Sequence, residues 1–65
     1  MKIVYQGDVT ETAAGTVAGF LNERNIPIQS VIAELNGEIC GGRDSEMQLL
    51  RAGDVLNVFR IVAGG

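Results

Sequence analysis

The residues with the most evident chemical use are the last three, Ala63-Gly64-Gly65, placed directly behind a run, Val55 to Val62, that reads as a strand. Glycine has no Cβ, so two in succession make a slender, permissive tail that another protein's backbone can approach closely. The group at its tip is expected to be the carboxylate of Gly65. With a reference pKa of about 3.3 to 3.7 it is ionised at neutral pH, nucleophilic toward the α-phosphate of ATP and inert toward attack until activated. The same three residues also read as a frayed chain end of no consequence. The choice between these readings turns on what other chemistry the chain could perform.

There is little. The sequence contains no His and one Cys, Cys40. The common zinc sets cannot be assembled from that inventory, and Ser-His or Cys-His nucleophile pairs are excluded with them. A lone Cys permits no internal disulfide. Eight Asp and Glu residues are dispersed singly, so a glycosidase-like acid pair has no support in the sequence. Neither catalysis by this chain alone nor a bound cofactor or metal is expected. Cys40 closes a short apolar stretch and reads as a small packed side chain rather than a sulfur-handling thiol.

A chain of 65 residues makes one domain, and at that size only about 60% of the unfolded surface is buried. With 46% hydrophobic and 20% charged residues it belongs among compact rather than disordered chains. The net charge of -3 and five scattered basic residues provide no basic patch, so nucleic acid is not an expected partner. Apolar runs are far shorter than the roughly 20 residues a bilayer crossing needs, and no leader pattern is present. A cytoplasmic protein without a membrane partner is expected.

The elements that must position the tail follow from periodicity. Met1 to Gln6 alternates with Met1, Ile3 and Tyr5 on one face, a half-buried strand. Gly7-Asp8 fits a type II′ hairpin turn returning into Val9 to Thr12. Thr16 is placed to cap a helix of about ten residues whose apolar face is Val17, Phe20 and Leu21, ending near Asn25 before Pro27. Gly19 inside it suggests close packing against the sheet. Ser30 to Leu35 alternates, with Val31, Ala33 and Leu35 facing one way and Ile32 and Glu34 the other. Asn36-Gly37 is the strongest hairpin signal, calling for a type I′ turn into Glu38 to Cys40. Gly41-Gly42 reads as a loop with positive φ. Asp44 could cap a single helical turn to Met47, Leu49 and Leu50 would tuck beneath the sheet, and Ala52-Gly53-Asp54 would turn into the last strand. There Leu56 and Val58 face the core while Asn57, Phe59 and Ile61 face out. Four or five strands with one helix across them form a two-layer α+β domain.

This order resembles the β-grasp, or ubiquitin-like, fold: α+β, with a mixed four- to five-stranded sheet and one main helix packed across it. Within it Leu35-Asn36-Gly37-Glu38-Ile39, the Gly53-Asp54 turn and Phe59-Arg60-Ile61-Val62-Ala63-Gly64-Gly65 resemble the ThiS sulfur carriers of thiamine biosynthesis. The likeness covers essentially the whole chain and divides it into a β-grasp domain, 1–62, and a flexible Ala-Gly-Gly tail, 63–65. It implies a carrier that is not an enzyme. A ThiF-like adenylating enzyme would use ATP to activate Gly65, sulfur from a persulfide would replace the adenylate, and the resulting thiocarboxylate would donate sulfur to a ThiG-like thiazole synthase. Ala63 and Gly64 would be the inserted tail. The carrier itself is expected to be a monomer.

Docking to such partners requires a surface. Phe59 and Ile61 point away from the core, and Ile32 and Glu34 join them if the last strand lies beside Ser30 to Leu35. These residues could instead only supply strand propensity. Three alternatives stay open: a MoaD-like carrier for molybdopterin synthesis, usually longer than this chain; a β-grasp interaction module without covalent chemistry; and a protein modifier forming isopeptide bonds through Gly65.

Overall fold

The computed structural model describes residues 1–41 and 43–61. Five strands form one mixed sheet: β1 Lys2–Tyr5, β2 Asp8–Glu11, β3 Val31–Leu35, β4 Glu38–Gly41 and β5 Val55–Arg60, in the spatial order β2-β1-β5-β3-β4. The last strand therefore sits in the middle, parallel to β1 and antiparallel to β3, while β1–β2 and β3–β4 are antiparallel hairpins. Among the described residues two α-helices, α1 Val17–Glu23 and the single turn α2 Asp44–Met47, and a short 3-10 turn, Ile28–Ser30, complete the fold. The α+β class and the sheet with one main helix across it are as the sequence predicts.

Alternation in the strands decides which face α1 covers. Ile3, Val31, Ala33, Leu35 and Leu56 point inward and meet Val17, Phe20 and Leu21 from the helix, with Leu50 closing one side. Each of these is at most 7% exposed, so the core is dry although the domain is small. The N-terminus of α1 is fixed by Thr16, whose hydroxyl accepts from Gly19 N–H at 3.0 Å. At the other end the Arg24 guanidinium lies 4.8 Å from the Tyr5 ring centroid and 5.1 Å from that of Phe20, and the two rings meet edge to face. The cation thereby covers the rim of the core and is held by both ring faces.

Several local expectations are corrected. The first hairpin turns at Gln6-Gly7, with φ of 51° and 85°, a type I′ pair rather than type II′ at Gly7-Asp8. Tyr5 pairs with Asp8, so Asp8 already belongs to β2. Helix α1 is shorter than ten residues because Asn25 adopts φ 59°; Ile26 N–H then reaches Leu21 O at 2.9 Å and Asn25 N–H reaches Asn22 O at 3.1 Å. That pair of bonds is the Schellman ending, with Asn in the position usually held by Gly. A Cβ on Gly19 would meet Thr16 Oγ1 at 3.2 Å and Ala14 at 3.5 Å, so the close neighbour is the cap and not the sheet. Asp44 is the first helical residue of α2 and Arg43 holds the cap position without a side-chain bond.

Leu50 is buried, but Leu49 is 55% exposed because its backbone bridges Thr16 and turns its side chain outward. Gly41 closes β4 opposite Ile32 with no positive φ, whereas Gly42 lies outside the described residues. The Asn36-Gly37 turn is as predicted, with φ of 52° and 89°.

Candidate functional site

The candidate tail begins where β5 leaves the sheet. Ile61 N–H donates to Ser30 O at 2.9 Å, one residue past the end of the strand, and keeps the chain against the start of β3. Val62, Ala63, Gly64 and Gly65 lie outside the described residues. The site is therefore built from what surrounds that exit.

The face of the sheet that α1 does not cover is the most distinctive surface. Phe59 and Ile32 stand directly opposite one another on β5 and β3, 52% and 38% exposed. Ile61 continues the outward alternation at 49%. Glu34 lies opposite both Asn57 and Ile39, and Asn57 Nδ2 donates to Glu34 Oε1 at a long 3.4 Å. The predicted set Phe59, Ile61, Ile32 and Glu34 is thus brought together on one face. Val55, Val4 and Val9 extend it across β5, β1 and β2, since Val4 pairs with both Val55 and Val9.

Among the described residues nine large apolar side chains are exposed, and Val9, Ile32, Ile39, Val55, Phe59 and Ile61 all lie on this face. A free sheet face is ordinarily polar. A contiguous apolar patch rimmed by polar groups marks a contact surface instead. Val9, Val55 and Ile39 were not among the sequence candidates. Ile39 was recoverable, because the Asn36-Gly37 turn places it opposite Glu34.

Gln6 was also missed. Its Nε2 donates to Val58 O at 2.9 Å and its Oε1 accepts from Val58 N–H at 2.9 Å, tying the first hairpin turn to β5 across 52 positions of sequence. At the opposite end of β5, Asn36 acts similarly: Val55 N–H donates to Asn36 Oδ1 at 2.9 Å and Asn36 N–H donates to Val55 O at 2.8 Å. Both residues have positive φ. In each case a turn amide grips the strand that leads to the tail.

Cys40 is 6% exposed and faces the core opposite Ala33, away from the open face. Burial pushes its thiol above the ordinary range, and the Asp44 carboxylate adds to the effect. Such a thiol keeps its proton at neutral pH and is a poor nucleophile. Among the described residues no group of three or more His, Cys, Asp and Glu is placed to hold a metal ion. No helix among them is long and apolar enough to cross a membrane.

Comparison with known proteins gives a consistent result. The model of the ThiS family matches residues 3–65. A crystal structure of a thiamine biosynthesis protein (ThiS) from Geobacter metallireducens superposes with a TM-score of 0.82, covering 100% of both chains at 22% sequence identity. At that identity the likeness establishes the shared fold, a ubiquitin-like β-grasp. No curated protein sequence matches the chain.

Proposed function

The chain belongs to the ThiS family, the sulfur carriers of thiamine biosynthesis, and we propose that its working group is the carboxylate of Gly65, carried as a thiocarboxylate. The observation that carries this reading is the family match running through Gly64 and Gly65, on a fold whose central strand leads toward them. The ionised carboxylate attacks the α-phosphate of ATP in the active site of a ThiF-like adenylating enzyme and pyrophosphate leaves. The acyl-adenylate is now an electrophile. The terminal sulfur of a partner's persulfide displaces AMP to give an acyl disulfide, a second thiol of that partner cleaves the S–S bond and is left in a disulfide, and the released thiocarboxylate, a soft nucleophile, is presented to a ThiG-like thiazole synthase.

The chain supplies position rather than catalysis in this scheme. Residues 62–65 reach at most about 3.3 to 3.6 Å each, on the order of 13 Å in all. The docking surface must therefore lie close to the exit of β5, as Phe59, Ile32 and Ile61 do. Gly64 keeps the last stretch thin enough to thread into a partner's site, Ala63 adds little more, and the globular part, residues 1–62, stays outside.

Intact mass spectrometry tests the reading. After incubation with ATP, a ThiF-like enzyme, a persulfide donor and a thiol reductant, a species heavier by the exchange of one oxygen for sulfur is expected. It should be lost when Gly64 and Gly65 are deleted. Unmodified mass in the full chain, with a partner that adenylates another carrier under the same conditions, would refute the proposal.

A further inference from the structure

The strand that leads to Gly65 is unevenly supported. On one flank β3 accompanies it from Leu35 opposite Leu56 to Val31 opposite Arg60. On the other, β1 pairs only Val4 with Val55 and Tyr5 with Leu56 before the chain turns away. The next residue, Gln6, still donates its N–H to Leu56 O at 3.1 Å. Its φ of 51° turns the backbone out of the ladder, so its carbonyl is not available to Val58.

The side chain takes over both jobs of a neighbouring strand. Oε1 accepts from Val58 N–H and Nε2 donates to Val58 O, each at 2.9 Å. A carboxamide is the uncharged side-chain group that presents an acceptor and a donor side by side; Asn has the same group on a shorter stem. Beyond Val58 the alternation points the Arg60 N–H and carbonyl to this same flank, where no described strand faces them. Among the described residues Gln6 is the last hold on that side of the strand.

We propose that Gln6 is a positioning residue for the reaction at Gly65: its carboxamide clamp on Val58 sets the direction in which the chain leaves the domain. This rests on the carrier reading above. Without the clamp the end of β5 is free to splay from the β1 side, and fewer docked carriers present the carboxylate in line with the nucleotide. The loss falls on the rate of the bound complex, because alignment is what changes. Docking through Phe59 and Ile32 is untouched.

Two variants separate the clamp from the turn. Gln6→Gly adopts positive φ without strain, and Gly-Gly is a favoured type I′ pair, so the hairpin is retained while the clamp is lost. Gln6→Glu keeps the length and the acceptor but at neutral pH has no donor for Val58 O. The readouts are amide hydrogen exchange at Val58 and ATP–pyrophosphate exchange catalysed by a ThiF-like enzyme over a range of carrier concentrations.

For Gln6→Gly, Val58 exchange is expected to quicken about tenfold, with kcat falling about fivefold and KM for the carrier within about twofold of wild type. Gln6→Glu is expected to lose kcat in the same direction. Wild-type kcat in a Gln6→Gly protein whose Val58 exchange has quickened would overturn the positioning role, and so would a change in KM alone. Unchanged Val58 exchange would overturn the clamp. If the wild-type chain supports no ATP–pyrophosphate exchange, the carrier reading falls first and this proposal with it.

Discussion

Replacing Phe59 by Ala separates docking from folding, because its two costs can be worked independently. The side chain is 52% exposed on the open face. A Phe buries roughly 150–250 Å² when fully enclosed, so on the order of 100 Å² is left for a partner to cover. At about 25 cal/mol per Å² that area is worth about 2.5 kcal/mol, and Ala would recover a small part of it. A loss of about 2 kcal/mol weakens the complex roughly thirtyfold. In the free protein the truncation encloses no cavity, so the cavity cost of a core substitution does not arise. What is lost is the cross-strand pair with Ile32 and some strand propensity, together about 1 kcal/mol.

Calorimetric titration of a ThiF-like enzyme with carrier gives the first quantity, and urea unfolding of the carrier gives the second. Met47→Ala is the control, since Met47 is 85% exposed but lies on α2, off the open face. Its Kd is expected to stay within about twofold of wild type. A Phe59→Ala Kd within that same range, or an equal loss in Met47→Ala, would refute the assignment of the docking face.

Cys40→Ser is expected to load sulfur on Gly65 as the wild type does, at a stability cost of about 1 kcal/mol for a buried hydroxyl in place of a thiol; a folded Cys40→Ser protein that fails to load would overturn the passive role of Cys40. The raised thiol also has a pH signature. Its folded pKa lies above the unfolded one, so its share of stability is complete below about 8.5 and is lost as pH rises through the folded value. Unfolding midpoints measured from neutral to alkaline pH are expected to fall less in Cys40→Ser than in wild type, and parallel curves would contradict the burial effect. Thr16→Ala removes the bond to Gly19 N–H and is expected to cost about 1 kcal/mol in urea unfolding; an unchanged midpoint would show that the cap adds nothing.

What could be read from the sequence was local, and what could not was mostly long-range. Val31 to Leu35 alternate cleanly, and the structure buries Val31, Ala33 and Leu35 while exposing Ile32. Asn36-Gly37 specifies its turn because both residues accept positive φ, and nothing distant is required. Gln6-Gly7 forms the same turn without that local signature. Gln tolerates left-handed φ poorly on its own, and here its side chain is anchored to Val58, a residue no local pattern connects to it. The early end of α1 was available, since Asn25 ahead of Ile26-Pro27 suits the left-handed position that terminates a helix. Leu49 followed Gln48 into an apolar pair that looked inward, yet the single bridge to Thr16 allows only Leu50 to turn toward the core. Of the site, the outward face of β5 was legible from period alone. Its breadth was not, because the sequence does not say that β1 lies beside β5, with β2 beyond it, and that they add Val4 and Val9.

The breadth of that face has a physical reason in the size of the domain. One seven-residue helix can cover one side of a five-stranded sheet and no more. The uncovered side would ordinarily be polar, yet here apolar side chains run across all five strands or their edges, interrupted by Glu34, Asn57 and the Lys2–Glu11 pair. Leaving such a surface open works against solubility, and its apolar rows would gain about 25 cal/mol per Å² once covered. On the proposed carrier function, the four residues from 62 to Gly65 can span at most on the order of 13 Å, which requires docking and delivery to lie next to each other. A central β5 suits this, because its outward side chains lie in the middle of the open apolar face and its chain continues in sequence toward Gly65. An edge strand would put the tail at the margin of the interface. Two turn residues, Gln6 and Asn36, are directed at β5 rather than at any outer strand, and on the proposed carrier function holding that strand sets the chain's exit beside the open face.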